Sequence, residues 1–492
     1  MLLTKCAIFL GITFGFIASV FAAPSIHSTL DTVKGGGFGG NPKIGFYSYD
    51  GQDGQHPALD MMRDNANSLC YWQNANIRIR ETADYRYNLI LTPSDEKPAE
   101  DEFFMRAGEN DSLIYSVITP QQKLVVGLIK KTELYDQIGD AYDQFLEALN
   151  KKNLEKVNYF FPEILSITSL RGDTLDPFSL QVAQFKCDQP NNRHENIYWN
   201  TLSTDPKTEP KNTLLNDAFY YANATTKLFQ DWFGIPLAID KDGNSIAIDI
   251  LLSSSMEDEW DNDLHIVRLK TGNETDLHSP GLTLIAHELG HAFTHYHSKL
   301  GSESEPNNNP DIEIENTPYQ SLALDESFAD MTAQAVEFYL TGKNDWKIGG
   351  ENTIRTDAIR YMNNPPLDCK DNYPSKSVYY KNICSIDHMK DLDKVSFIDE
   401  NGKRGMEEHY LAGVFNKAFY LLSTSPGWDT KKAYVAMVDA NRYYWTNTTD
   451  FTEAACGVLK AIQARNNNPS DVAIAIQVFS QVGIDADQCN NK

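Results

Sequence analysis

The segment GLTLIAHELGHAFTHY, residues 281–296, carries two histidines and a glutamate at a spacing that can do chemistry. His287 and His291 stand four residues apart in a run of helical character, so both imidazoles leave the same helix face one turn apart. Two imidazole nitrogens in that arrangement can hold one metal ion, and Glu288 lies near enough to accept a proton from a water there. Because the rest of this helix is apolar, the pattern HExxH predicts a buried zinc hydrolase site rather than a chance match on a surface helix.

A catalytic zinc ion needs a third protein ligand and an open position. His297 completes the spacing HExxHxxGxxH, but Thr294 replaces the glycine that ends the helix in that pattern. If the helix continues at roughly 100° per residue, His297 points about 240° round from His291, away from the metal. Glu326, in the apolar helix SLALDESFADMTAQAVEFY, is therefore the preferred third ligand, and His297 is expected to lie on the surface.

Other elements must position these residues. Asp325 and Asp330 share the helix of Glu326, and their carboxylates are expected to accept hydrogen bonds from the zinc-bound imidazoles. Upstream, residues 212–236 have the apolar face of a helix that ends before Gly234 and Pro236. The segment IAIDILLSS and the alternating segment NIRIRETADY predict strands.

These motifs together resemble a known family. HELGHAFT, then DESFADMTAQAVEFYLTGKNDW, AIRYMNNP and GVFNKAFYLLSTSPGWDTKKAYVAMVDANRYYWT, closely resemble the thermolysin-like zinc metallopeptidases, nearest to the elastase branch of pseudolysin and vibriolysin. The resemblance covers residue 281 to the end, with weaker matches upstream. It implies an α+β fold of two lobes, a β-rich N-terminal half and a helical C-terminal half, with the zinc-site helix between them.

The resemblance also implies roles for residues away from the HExxH helix. Tyr319 and His409 correspond to a tyrosine and a histidine that stabilise the tetrahedral intermediate. Glu407 corresponds to the partner that orients this histidine. Arg360 in AIRYM corresponds to the arginine that binds the substrate backbone. Trp260 lies in MEDEWDND, which corresponds to the edge strand that pairs with an extended substrate, but acidic residues precede it here.

A structural Ca²⁺ site is the last of these implications. Glu337 and Asp345 match two of its carboxylates, whereas Thr283 and Gln334 replace two others. Because calcium needs several oxygen ligands, the loss of two carboxylates should weaken the site considerably.

The N-terminal residues MLLTKCAIFLGITFGFIASVFAAPS have a lysine, an apolar run and a small-residue cleavage pattern, which predict a secretory signal peptide over 1–22. A short leader over 23–34 then precedes a mature-like start at GGGFGG, without the long pro-region of the family. The β-rich half is expected over 35–286, interrupted by an insertion at about 88–178, and the helical half over 287–492.

Of seven cysteines, one lies in the signal, which leaves an even number in an oxidising compartment. Spacing alone leaves fifteen pairings open. The resemblance implies Cys70–Cys187 and Cys456–Cys489, which leaves Cys369–Cys384 as a local third bridge.

The sequence thus predicts a secreted, monomeric zinc metalloendopeptidase (EC 3.4.24) that hydrolyses extended peptides, with one catalytic Zn²⁺ and Glu288 as general base. Its net charge of −25 argues against nucleic acid or anionic membranes as partners. Two alternatives stand beside this hypothesis. One is the same reaction with His297 as the third ligand, and the other is a catalytically impaired relative that acts as a secreted binding protein.

Overall fold

The structure is a computed structural model. It describes residues 30–41, 43–82, 88–89, 102–107, 112–118, 124–130, 180–190, 196–200, 213–240, 242–253, 258–262, 265–270, 281–301, 316–351, 357–370, 384–398, 404–466 and 468–491. The expected signal peptide, the first part of the expected leader and the apolar helical pattern at 134–149 lie outside these residues.

The strands are β1 (Leu30–Gly36), β2 (Phe38–Asn41), β3 (Gly45–Ser48), β4 (Leu59–Asp64), β5 (Leu69–Tyr71), β6 (Ile77–Thr82), β7 (Asn88–Leu89), β8 (Glu102–Ala107), β9 (Ser112–Ile118), β10 (Leu124–Lys130), β11 (Leu180–Val182), β12 (Gln184–Lys186), β13 (Ile197–Trp199), β14 (Ile248–Ser253), β15 (Glu259–Asp261), β16 (Ile266–Lys270), β17 (Lys347–Ile348), β18 (Arg360–Tyr361), β19 (Ser396–Ile398) and β20 (Arg404–Met406). The α-helices are α1 (Thr213–Phe233), α2 (Leu282–Tyr296), α3 (Asn316–Thr341), α4 (Glu408–Leu411), α5 (Gly413–Ser423), α6 (Thr430–Tyr443), α7 (Phe451–Asn466) and α8 (Pro469–Gln481). Short 3₁₀ turns cover Pro365–Lys370, Met389–Val395 and Asp487–Asn491.

The N-terminal half is built on two five-stranded sheets, with strand orders β12-β5-β4-β1-β13 and β11-β6-β14-β16-β15. The second sheet ends at β15, which pairs antiparallel with β16 and places Trp260 opposite Val267. A separate four-stranded sheet, β10-β9-β8-β7, falls within the expected insertion. The strands predicted in NIRIRETADY and IAIDILLSS are confirmed as β6 and β14.

The predicted boundary of the leader differs from the structure at one point. β1 begins at Leu30 and pairs with β4 along its length, from Leu30 opposite Asp64 to Gly35 opposite Leu59. The folded sheet therefore begins within the segment expected to be a leader. The residues LDTVK do not predict this strand, because their side chains are largely exposed and do not alternate.

The helices of the C-terminal half share one core with the β-rich half, and α2 lies between the two halves. α2 contacts α1 and α3 as well as strands β15, β16 and β17. Its buried face includes Leu284, Ile285, Leu289 and Phe293, and the Phe293 ring stacks on Phe229 of α1 and Phe328 of α3. The α+β architecture with a β-rich first half and a helical second half is confirmed.

The described part of the chain contains three disulfides, and the expected pairing is confirmed: Cys70–Cys187, Cys369–Cys384 and Cys456–Cys489. Among the residues that the structure describes, no helix is both long enough and apolar enough to cross a membrane.

Candidate metal centre

Helices α2 and α3 approach each other unusually closely, and a glycine in the HELGH motif permits this. A Cβ atom at Gly290 would lie 2.7 Å from the Cα of Ala329 and 2.9 Å from Oγ1 of Thr332. No side chain can occupy that space without separating the helices. The glycine therefore sets the distance between the helix of His287 and His291 and the helix of Glu326.

The three residues expected to bind zinc lie together at this helix interface. The Nε2 atoms of His287 and His291 are 3.1 Å apart. Glu326 places Oε2 3.4 Å from Nε2 of His287 and Oε1 3.5 Å from Nε2 of His291. One ligand atom from each residue thus lies within 4.8 Å of the others, as one metal ion would require.

The remaining ring nitrogens are held by carboxylates. Nδ1 of His287 lies 2.8 Å from Oδ1 of Asp330, and Nδ1 of His291 lies 2.8 Å from Oδ2 of Asp325. An ionised carboxylate can only accept, so each Nδ1 carries the proton. Both Nε2 lone pairs are then directed at one point, an arrangement that is stable only if a proton or a metal cation lies between them.

The carboxylate of Glu326 also fits a cation at this position. Its Oε2 atom is buried and accepts no hydrogen bond from the residues that the structure describes. Although burial opposes ionisation, the charges of His409 and His291 hold the pKa of Glu326 well below its ordinary value. A buried, ionised oxygen without a hydrogen-bond donor, beside two imidazole lone pairs, fits the donor set of a zinc ion.

Glu288 lies in α2 beside the first imidazole and is almost entirely buried. Burial raises its pKa to about 7, while His287 and His291 act in the opposite direction. A carboxylate whose pKa lies near neutrality can both take and return a proton.

Asp330 is the centre of a buried polar network that the sequence only partly predicted. Arg360 donates to it from Nε at 2.9 Å and from Nη2 at 2.7 Å. Asn416 of α5 donates to Oδ2 at 2.8 Å and accepts from Ser327 at 2.7 Å. Burial opposes ionisation of Asp330, but Arg360 and His287 keep its pKa far below the ordinary range. The network fixes the carboxylate that orients His287.

Asn416 was missed by the sequence analysis. The available signal was its place in the apolar run GVFNKAFYLL, where a fully buried amide must find hydrogen-bond partners inside the protein. Arg360 is positioned by its ion pair with Asp330, and its expected contact with substrate stays a prediction.

His409 at the start of α4 faces the same centre from the opposite side. Its Nε2 lies 3.4 Å from Oε1 of Glu326, and its Nδ1 lies 2.9 Å from Oε1 of Glu407, the partner that was expected. Burial opposes its charge, but Glu326 and Glu407 raise the pKa of His409 to about 10. The side chain is 41% exposed, so a protonated Nε2 can reach a ligand in the cleft.

Tyr319 and Trp260 lie further from this centre. Tyr319 lies in α3, which begins at Asn316, and its side chain is buried. Glu326 lies seven residues further on, about 10 Å along the helix. The Trp260 ring is also buried, 5.7 Å from the His295 ring, and its indole donates to Asn262 at 3.0 Å. The roles expected of both residues stay predictions.

His297, the alternative third ligand, caps the end of α2 away from the metal centre. Its ring packs on Phe293 with the centroids 4.1 Å apart, and burial lowers its pKa to about 4. His297 was expected at the surface but is half-buried, because its ring packs on Phe293 at the end of α2.

The surroundings of Glu337 and Asp345 fit a calcium ion poorly. Nε2 of Gln334 donates to the carbonyl of Lys347 at 2.9 Å, and Oγ1 of Thr283 donates to Glu351 at 2.7 Å. Glu337 accepts from the backbone of Asp345 at 3.2 Å. Hydrogen-bond donors thus stand where a calcium ion needs oxygen ligands. Calcium binding at Glu337 and Asp345 stays a prediction.

Comparisons with known proteins agree with this geometry. Residues 317–484 match the family model described as the alpha-helical domain of thermolysin metallopeptidases. The helical half of the chain thus resembles the alpha-helical domain of the thermolysin-like metallopeptidases, in agreement with the two-lobed fold and the His287, His291 and Glu326 cluster.

Three relatives are similar over much of the chain. The zinc metalloproteinase MspA of Legionella longbeachae is 26% identical over 93% of this chain and 61% of its own length. The zinc metalloproteinase of Legionella pneumophila is 28% identical over 62% of this chain and 50% of its own length. The neutral protease of Vibrio proteolyticus is 29% identical, over 55% and 37%. The chain therefore spans between about a third and three fifths of the length of these relatives.

Proposed function

We propose that this chain is a secreted zinc-dependent endopeptidase that cleaves extended peptides and proteins. One observation carries the proposal: two imidazole Nε2 lone pairs and an unpaired Glu326 oxygen point at one buried position, beside a glutamate whose pKa is near 7. The relatives named zinc metalloproteinase and neutral protease support the same activity.

His287, His291 and Glu326 would hold the zinc ion. When bound, the ion would supply Lewis-acid polarisation of the scissile carbonyl and of the attacking water. Asp330 and Asp325 keep both imidazoles in the tautomer that leaves Nε2 free.

The protein's own side chains then move the protons. Glu288 accepts a proton from the attacking water and later delivers it to the leaving amine. His409 donates from Nε2 to the carbonyl oxygen as negative charge develops on it, and Glu407 holds the ring in position. Arg360 keeps Asp330 in place and contacts the substrate backbone.

The substrate binds in an extended conformation along β15, which is the last strand of its sheet. An edge strand offers backbone groups to a peptide that adds to the sheet. Arg268 pairs with both Glu259 and Asp261, so one positive charge offsets part of the acidity of this edge from within. Selectivity for basic substrates would then be weaker than the sequence MEDEWDND suggests.

The test is cleavage of casein by the purified secreted protein, with and without 1,10-phenanthroline, together with its zinc content. We expect one zinc per chain, loss of activity with the chelator, and a loss of about 10²- to 10⁴-fold in kcat for Glu288→Gln. The matched control is Glu453→Gln, an exposed glutamate in the first turn of α7.

Two results would overturn the proposal. Substantial activity in zinc-loaded Glu288→Gln would remove the general base. Bound zinc without any cleavage by the unaltered protein would favour the second hypothesis, a secreted peptide-binding relative without catalysis.

A further inference from the structure

A second pair of histidines faces each other outside the candidate metal centre. Nε2 of His295, one turn beyond His291 on α2, lies 3.1 Å from Nε2 of His265, in the turn between β15 and β16. This is the separation found between His287 and His291. Two metal–nitrogen bonds of about 2.1 Å span it at an angle of about 95°, which suits neighbouring ligands of one ion.

A chain of hydrogen bonds directs the Nε2 lone pair of His295 toward His265. The indole of Trp260 can only donate, so the Asn262 atom 3.0 Å away is the amide oxygen. The same oxygen lies 3.1 Å from Nδ1 of His295, which therefore carries the proton. Nε2 of His295 is left as an acceptor, aimed at His265.

Surrounding groups keep both rings accessible and favour the neutral form of His295. His265 is exposed and His295 is half-buried, so an ion can reach both nitrogens from solvent. Burial, His265 and Lys299 lower the pKa of His295, although Asp325 acts against them. The neutral imidazole is the form that binds metal, and the strongly acidic chain attracts cations.

The backbone at His265 supports a defined role for this residue. Its φ is +55°, a left-handed conformation that is uncommon outside glycine but that Asn, Asp and His adopt more often than other residues. The ring stacks parallel to Trp260 at 6.3 Å and lies 5.8 Å from the Tyr296 ring. The turn therefore holds the imidazole against α2 rather than leaving it free in solvent.

We propose that His265 and His295 form a second, exchangeable site for a late first-row transition-metal ion such as Cu²⁺, Ni²⁺ or Zn²⁺. Two imidazoles and no thiolate suit these borderline ions, and solvent supplies the remaining ligands. An ion there joins the turn after edge strand β15 to the helix that carries His287 and His291. In its absence the two rings share a proton in an N–H···N hydrogen bond.

The test is titration of the zinc-loaded protein with Cu²⁺, followed by electron paramagnetic resonance, with zinc retention measured in parallel. We expect one bound Cu²⁺ per chain without loss of zinc, with hyperfine structure from two nitrogens. His265→Gln and His295→Gln should each weaken its affinity at least tenfold. Cu²⁺ should also raise the Tm of the unaltered protein, and neither variant should show that rise.

The matched control is His56→Gln, a histidine of the N-terminal half whose Nδ1 faces Asp53, away from the pair. It should bind Cu²⁺ as the unaltered protein does. The proposal fails if the unaltered protein takes up no copper, if copper enters only by displacing zinc, or if His265→Gln and His56→Gln give the same affinity. None of these results depends on peptidase activity, so the proposed function is tested separately.

Discussion

Helices α2 and α3 meet at two polar clusters, one around His287, His291 and Glu326 and one around Thr283 and Gln334. Of these two clusters, only the first has the character of a metal site. At His287, His291 and Glu326, lone pairs and a buried carboxylate oxygen converge without a donor among them. One turn earlier on α2, the oxygen atoms around Thr283 and Gln334 already have hydrogen-bond partners in the protein. Of these two clusters, the one whose acceptors remain unsatisfied is therefore the one that fits a metal ion.

The difference also concerns charge. At the first place, a proton or a cation is required, because the carboxylates of Asp325 and Glu326 raise the pKa of His291 well above its ordinary value despite burial. At the second place, burial and Asp345 raise the pKa of Glu337 to about 7, so a proton can neutralise it without any ion.

The largest effect should come from removing the third ligand. Glu326→Ala is expected to reduce the zinc content from one per chain to nearly none, because two ligands rarely hold zinc in a catalytic site. His297→Ala is the matched comparison and should retain zinc, since this ring packs on Phe293 instead. Metal analysis after dialysis measures both, and equal zinc loss in the two variants would contradict the assignment.

A smaller effect is expected from the carboxylates behind the imidazoles. Asp330→Asn and Asp325→Asn should weaken zinc affinity by about 10- to 100-fold, because an amide no longer holds the imidazole tautomer as firmly. Competition with a fluorescent chelator gives the affinity. The comparison is Glu337→Gln, in the cluster around Thr283 and Gln334. If this variant lost as much zinc affinity, the two clusters would not be independent.

The spacing of the two helices should matter next. Gly290→Ala is expected to destabilise the fold by about 1–3 kcal/mol, because its methyl group would meet the Cα of Ala329 at 2.7 Å. Urea unfolding gives the free energy. A fully stable variant with unchanged zinc affinity would show that the helices can separate without disturbing the site.

The smallest effect is expected from calcium. Removing Ca²⁺ with EGTA should change the Tm of the unaltered protein by only about 1 °C, since the cluster of Thr283 and Gln334 is satisfied by the protein itself. The double variant Thr283→Asp, Gln334→Glu restores two carboxylates and should gain a Tm that rises with Ca²⁺. A large EGTA effect on the unaltered protein would establish a calcium site that the geometry does not favour.

The sequence predicted the positions that depend on periodicity and on motifs within one element. The spacing of His287 and His291 and the apolar face of the Glu326 helix were sufficient to bring these residues together, and the α+β fold followed from the family resemblance. Contacts between distant elements were harder. Asn416 joins Asp330 from another helix, and no local pattern shows that partnership.

Two further residues show the same limit. α3 begins at Asn316, five residues before the segment SLALDESFADMTAQAVEFY whose apolar pattern predicted it, so Tyr319 lies within the helix. His297 was expected at the surface from the continuation of a helix, whereas its position depends on where the chain turns after Tyr296.

The disulfide between Cys70 and Cys187 would keep the molecule covalently joined after cleavage of the chain between these two residues. The chain leaves β6 at Thr82 and returns in β11 at Leu180, directly opposite, and the bridge spans this whole excursion. A nick anywhere inside it would therefore give two fragments that stay covalently joined. Such a nicked molecule would run as one band on a non-reducing gel and as two bands after reduction. Cleavage by another protease within this segment would therefore release neither fragment.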